Sequence, residues 1–502
     1  MKRLLRITLV LALGLAWAQA AQPTTEPVFE VVGADACPFA VPEGLVIGEN
    51  AECGFLVVPE NRETGGEAQV RLPLFIAKSE SGNTEDALVL FNGGPGQPVQ
   101  DLLSAFFGSP IGGALIAERD AVFFEQRGTG YAEPALACDT EFAALLEDTA
   151  YREAALIEET RLETAALQTC GERLTAEGVD LAAYNTQENA ADVAALTEAL
   201  EYNQLNLLGF SYGSRLALQV MRYHPEVLRS VVLSSVAPPD APIGAIPLYT
   251  EEVLTQLFAD CAADEACAAA YPDLETAFTE VYATLSETPL ELETPSGTQT
   301  LDATAFVSLI FELLYSARGE SPVPAVIYSL REGSGDVVSS LLGNDSEDTE
   351  AGEDLQRQGM KASINCADER PFLNSYDTFN AAARPELLET LSIIADEQFV
   401  ATCSNWNAAQ LDAEHFTPVE SEVPALVLSG SYDVATPASS GERAGETLPN
   451  ATVATFAGLG HSPLNSAGEC GFTLLLTFLS DPSAPVDTAC AAEFAPAFVV
   501  LE

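Results

Sequence analysis

Positive charge is what this sequence most lacks: 21 Lys and Arg stand against 75 Asp and Glu in 502 residues, for a formal charge of −54. Only three of the cations are lysines, Lys2, Lys78 and Lys361. Repulsion on that scale argues against nucleic acid and anionic membrane as partners and favours solubility. Such a surface suits a saline or otherwise harsh exterior, and equally a generic soluble one. Histidine is as scarce, with His224, His415 and His461 the whole supply, so any imidazole chemistry must draw on one of three. No cysteine spacing resembles a zinc motif and no internal repeat is present, so neither a metal nor a cofactor is expected. Beyond the amino-terminal segment no apolar run approaches the roughly 20 residues of a membrane span, so no membrane insertion is expected.

What is there begins with that segment. Lys2, Arg3 and Arg6 precede an apolar run from Ile7 to Trp17, and Ala18-Gln19-Ala20 offers a small-x-small cleavage site. Residues 1–20 read as a secretory signal peptide, giving a secreted or periplasmic protein. Cleavage would remove three basic residues and no acidic one, taking the charge from −54 to −57. Ten cysteines agree with export, because an even number in an exported chain usually means disulfides. Pairing neighbours in sequence gives Cys37 with Cys53, Cys138 with Cys170, Cys261 with Cys267, Cys366 with Cys403 and Cys470 with Cys490.

About 480 mature residues exceed what one core usually supports. In the first half short apolar runs alternate with helical patterns, which predicts an α/β fold: a mostly parallel sheet with helices on both faces. Gly54 to Pro59 and Val70 to Ala77 read as an opening antiparallel pair. Ala87 to Phe91, Ala121 to Phe124, Leu205 to Leu208 and Ser230 to Ser234 read as buried strands, with a helix over Asn189 to Tyr202. A helical insertion occupies about 139–176. Residues 21–237 form the first part of the core. From 238 to 418 the sheet pattern stops, and helical segments such as Tyr249 to Ala263, Leu274 to Leu285 and Ala303 to Ser316 predict a cap. Within it Gly343 to Gln356 is acidic and nearly free of large apolar residues, as a mobile loop would be. Residues 419–502 resume the core with strands at Ala425 to Leu428 and Thr452 to Phe456 and a closing helix, Phe472 to Leu479.

The chemistry concentrates at Gly209-Phe210-Ser211-Tyr212-Gly213, where an apolar strand meets an amphipathic helix. This reads as a nucleophile elbow: a serine on a sharp strand-to-helix turn, flanked by glycines because a Cβ would strike the neighbouring elements. A serine needs a base to take its proton, usually a histidine oriented by a carboxylate. His224 closes the helix after the elbow, where a helix-terminal surface role suits it. His415 lies in a polar stretch and is expected to be solvated. His461 follows the last strand, at the sheet edge where α/β folds carry function, and is the expected base. Asp433 leaves the strand Ala425 to Leu428 in a turn and is the expected acid, with Asp240 as the rival. Ser211, Asp433, His461 is the chain order of an α/β hydrolase. An oxyanion hole would take the Tyr212 N–H from the elbow and a second donor from Asn92-Gly93-Gly94-Pro95-Gly96. Gly94 is the first choice there and Gly96 the next. That loop could also be a plain tight turn, and it lacks the lysine and spacing of a phosphate-binding P-loop.

The Gly93 to Gly96 loop, Glu125-Gln126-Arg127-Gly128-Thr129-Gly130, Tyr184-Asn185-Thr186, the elbow and the Asp433 and His461 segments together resemble the secreted tripeptidyl aminopeptidases, relatives of the proline iminopeptidases among the serine α/β hydrolases. The resemblance runs from about Cys53 to Cys470. It implies an acyl-enzyme mechanism on Ser211, Asp433 and His461 that releases short peptides or single residues from free amino termini, with small peptides as substrates. Three departures stand beside these motifs. Asn92 replaces a histidine, Glu125 replaces an aspartate, and Tyr131-Ala132 replace a serine. An aminopeptidase must hold a substrate ammonium, and Asp368 and Glu369 are the candidates, or two more surface acids. An esterase with the same triad and a silent hydrolase-fold binding protein are the other readings.

Overall fold

The computed structural model describes residues 26–83, 85–108, 110–148, 156–294, 297–316, 319–342 and 358–501. The expected signal peptide and the acidic segment Gly343 to Gln356 lie outside these residues. The centre is a nine-stranded sheet built from β1 (Val28–Val32), β2 (Ala51–Pro59), β3 (Gln69–Ala77), β4 (Asp86–Phe91), β5 (Asp120–Phe124), β6 (Gln204–Phe210), β7 (Leu228–Ser234), β10 (Ala425–Gly430) and β11 (Ala451–Phe456). Its order is β1-β2-β3-β5-β4-β6-β7-β10-β11. β1, β2 and β3 run antiparallel, β3 meets β5 antiparallel, and the strands from β5 to β11 along that order are parallel. β4, β5 and β10 are buried along their whole length, as strands covered on both faces must be. One apolar cluster fills each face, the first around Leu74, Val89, Leu207 and Leu216, the second around Phe75, Leu90, Leu428 and Phe478.

The strands expected from sequence all form. β1, whose exposed edge residues carry little period-two signal, is an addition. Between β7 and β10 the chain is mainly helical, with Ile246–Ala263, Leu274–Glu287 and Ala303–Tyr315 where helices were expected. It also contains a hairpin, β8 (Leu290–Thr294) with β9 (Gly297–Leu301), an addition to the helices expected there. Most of the helices before residue 342, with Leu387 and Leu391, share a third apolar cluster that Tyr432 and Val434 join from the core. The five disulfides are Cys37–Cys53, Cys138–Cys170, Cys261–Cys267, Cys366–Cys403 and Cys470–Cys490, the neighbour pairing expected. Such a set points to an oxidising, extracytoplasmic compartment. Among the described residues no helix is long and apolar enough to cross a membrane.

Candidate active site

At the end of β6 the chain turns sharply into the helix Tyr212–Tyr223. Ser211 takes φ 53° and ψ −121°, a conformation costly for any residue with a side chain and characteristic of this turn. The flanking glycines are required sterically. A Cβ on Gly209 would sit 2.2 Å from the Gly213 carbonyl oxygen, and one on Gly213 would sit 2.8 Å from the Phe91 carbonyl oxygen. β4 ends directly alongside, so the loop it releases passes over the serine: a Cβ on Gly93 would lie 2.8 Å from Ser211 Cβ and 3.4 Å from its Oγ. The Gly93 N–H donates to the Asn92 side chain at 3.0 Å. Gly94, in the left-handed region at φ 105°, follows it. Tyr212 begins the helix, where a backbone N–H has no partner within the helix and the dipole is positive.

Two residues at the end of β5 hold both ends of this loop. Gln126 Nε2 donates to the Asn92 carbonyl at 2.8 Å, and Glu125 Oε2 accepts from the Val99 N–H at 2.7 Å. Burial pushes the Glu125 carboxyl up to about 7 despite those hydrogen bonds. The next residue, Arg127, is fully buried and pins the strand end to the helix Thr186–Leu200 through Asp192 at 2.7 and 2.8 Å. The motif Glu125 to Gly130 therefore works as scaffold for the loop and strand ends.

Asp433 and His461 follow β10 and β11, which lie beyond β7 from the elbow strand β6. Asp433 is fully buried in the turn after β10, and its Oδ2 lies 2.8 Å from His461 Nδ1. Oδ1 accepts from the N–H groups of Ala435 at 3.0 Å and Thr436 at 2.8 Å, and Oδ2 also accepts from the Thr436 hydroxyl at 2.7 Å. Burial would raise this carboxyl, but the His461 ring and the Thr436 hydrogen bonds outweigh it and hold Asp433 below the usual carboxylate range. It is thus an ionised partner for Nδ1, leaving Nε2 without a hydrogen bond among the described residues. Ser462, next to the imidazole, donates its N–H to Ser235 Oγ at 2.8 Å, while Ser211 donates its N–H to the Ser234 carbonyl at 2.9 Å. The end of β7 therefore bridges the elbow and the histidine loop. The Ser211 hydroxyl itself makes no hydrogen bond to the ring, a contact that free enzymes often tighten only on binding substrate. Asp240, the rival acid, is engaged by Arg443 at 2.5 Å.

Two expectations need correction. His415 is buried rather than solvated: a short turn packs it against the elbow helix, with Nε2 3.2 Å from Asp368 Oδ1 and Nδ1 3.2 Å from the Tyr223 hydroxyl. Asp368 and Glu369 are buried as well, and each faces the buried Arg215 guanidinium, at 3.8 and 3.4 Å. Glu369 further accepts from Tyr376 and the Gly244 N–H, and Asp368 from Thr186. With their oxygens committed inside the protein, they are not placed to hold a substrate ammonium. His224 closes the elbow helix as expected, and is half-buried there. Thr436 and Tyr315 escaped the sequence reading. Thr436 had a signal in its spacing of three from Asp433, whereas Tyr315 reaches the site only through tertiary packing. Cavities of about 590 and 770 Å³ lie apart from Ser211, the first lined by residues between Thr255 and Thr276, the second by segments around Arg62, Asn185 and Leu411.

The chain belongs to the α/β hydrolase fold family, whose pattern spans residues 86–465. It is 25% identical over 462 residues to the serine protease Hip1 of Mycobacterium tuberculosis, covering 86% of each chain. It is likewise 25% identical over 467 residues to carboxylesterase B of the same organism, covering 87% of this chain and 85% of that one. Among solved structures, the esterase RhEst1 from Rhodococcus sp. ECU1013 aligns over 82% of this chain and 95% of its own, at 16% identity and a TM-score of 0.35. This chain is a serine hydrolase of that superfamily.

Proposed function

We propose that the protein is an exported serine aminopeptidase that releases short peptides or single residues from free amino termini, with the helical segment 238–418 as its cap. The observation that carries the hydrolytic part is the 2.8 Å contact between Asp433 and His461 beside a serine held in an elbow. His461 Nε2 takes the Ser211 proton as Oγ attacks the substrate carbonyl carbon. The N–H groups of Tyr212 and Gly94 receive the oxyanion, for which the loss of one donor typically costs about 10² to 10³ in rate. The imidazolium then gives its proton to the leaving amine, and an acyl-enzyme remains. Water, deprotonated by the same nitrogen, releases the acid and restores Ser211.

The aminopeptidase choice is supported by the family resemblance of its motifs and by the similarity to a serine protease. An esterase is the second reading, favoured by the similarity to carboxylesterase B. Free-amino mono-, di- and tripeptidyl amides, their N-acetylated forms and short-chain esters separate the two. The expected result is cleavage of the free-amino substrates that acetylation abolishes. Equal turnover of blocked peptides, or of esters alone, contradicts it.

A further inference from the structure

The helix Ala303–Tyr315 ends on the catalytic histidine loop. The Tyr315 ring stacks on the His461 imidazole, with centroids 4.7 Å apart and planes 23° apart. Phe311, one turn earlier, stacks against Tyr315 at 6.2 Å and the same 23°. The backbone is locked to the same place: the His461 N–H donates to the Tyr315 carbonyl at 3.3 Å, and a Cβ on Gly460 would strike the Ser316 carbonyl oxygen at 2.2 Å. Three rings thus form a ladder from the helix to the imidazole. One face of the imidazole is covered, its Nδ1 edge is held by Asp433, and its Nε2 edge is left for the serine and the leaving group. Yet Tyr315 keeps 40% of its surface exposed while Phe311 is half-buried. The exposed part of the Tyr315 ring thus lies next to the imidazole that would hand a proton to the leaving group.

We propose that Tyr315, backed by Phe311, is the flank of the leaving-group subsite and selects substrates whose leaving portion begins with an aromatic or large apolar residue. Tyr315 also acts as a positioning residue, since its ring restricts rotation of the imidazole. The selection rests on the peptidase reading above, but the ladder would act on any leaving group the histidine protonates. An aromatic contact of this kind is worth about one factor of ten in rate.

The test uses two series with a constant acyl side: free-amino peptides whose leaving residue is Phe, Leu, Gly or Asp, and esters whose leaving alcohol is benzyl or ethyl. The full-length protein is expected to favour Phe over Gly by about ten-fold in kcat/KM. Tyr315→Ala should erase that preference, with a smaller loss from Phe311→Ala, and Tyr315→Phe should keep it. Labelling by a fluorophosphonate checks that the variants retain a reactive serine. Turnover of the esters alone defeats the peptidase reading, and a benzyl preference abolished by Tyr315→Ala would still uphold the subsite. An absent preference, or one that survives Tyr315→Ala, overturns the proposal in either series.

Discussion

Two buried aspartate–histidine pairs sit within this protein, and only one leaves a ring nitrogen open among the described residues. Asp433 and His461 meet at 2.8 Å at the carboxyl edge of the sheet, and Asp368 and His415 at 3.2 Å along the flank of the elbow helix, between Arg215 and Tyr223. In the first, Asp433 is satisfied by groups of its own turn and Nε2 stays open. In the second, both ring nitrogens are engaged, by Asp368 and Tyr223, and Asp368 is further bound to Thr186 and close to Arg215. Carboxylate and imidazole in contact are therefore insufficient as a signature of a catalytic pair. What separates the two is an uncommitted nitrogen beside a nucleophile. The second pair has a scaffold role, because Thr186 also meets the Tyr212 hydroxyl at 2.9 Å and so ties the network to the residue after the serine.

The contrast yields opposite outcomes for the same chemical change. Asp433→Asn is expected to lower kcat by about 10⁴ with a smaller loss of stability than the same change at Asp368, because the amide keeps the shape but not the correct tautomer of His461. A loss under ten-fold would remove Asp433 from the relay. Asp368→Asn should do the reverse, lowering stability by about 3 kcal/mol, since Arg215 and His415 lose a buried charged partner, with a modest effect on kcat. Denaturant titration of the two variants side by side reads both predictions. Equal stability losses would erase the distinction drawn here.

A smaller effect comes from pH. The folded-state carboxyls of Asp368 and Asp433 both titrate below their ordinary range, each raised by burial but lowered more by its histidine and hydrogen bonds. Their contribution to stability is present above about pH 4 and is lost as pH falls through the folded values. Glu125 has the opposite sign. Burial raises its carboxyl to about 7, so stability declines as pH climbs from about 4 towards 7 and the charge appears in a buried site. Glu125→Gln, which keeps an acceptor for the Val99 N–H, should gain stability relative to the parent between pH 5 and pH 8. A difference that is flat with pH would contradict the assignment.

Much of this was legible in the chain. The elbow could be read because Gly209 and Gly213 are forced by close backbone approach, a local constraint that leaves a local mark. The parallel strands could be read because burial on both faces demands unbroken apolar runs such as Leu88 to Phe91. The pairing of Asp433 with His461 followed from their positions directly after strands. The remainder depends on tertiary contact. β1 exists by pairing with β2, and the hairpin β8–β9 is short and largely exposed, so neither leaves much periodicity. His415 has polar neighbours in sequence, and nothing local shows that Tyr223 and Asp368 will enclose it. Asp368 and Glu369 read as ammonium ligands, or as surface acids in a chain with 75 acidic residues, and only the fold reveals Arg215 between them. Tyr315 closes an ordinary amphipathic helix until the fold lays it on the imidazole.

The most direct test of the central claim is covalent labelling by a fluorophosphonate followed by peptide mapping. The adduct is expected on Ser211, to form far more slowly in His461→Ala, and to be absent in Ser211→Ala. An adduct on another residue, or labelling undiminished in His461→Ala, would contradict the proposed proton relay.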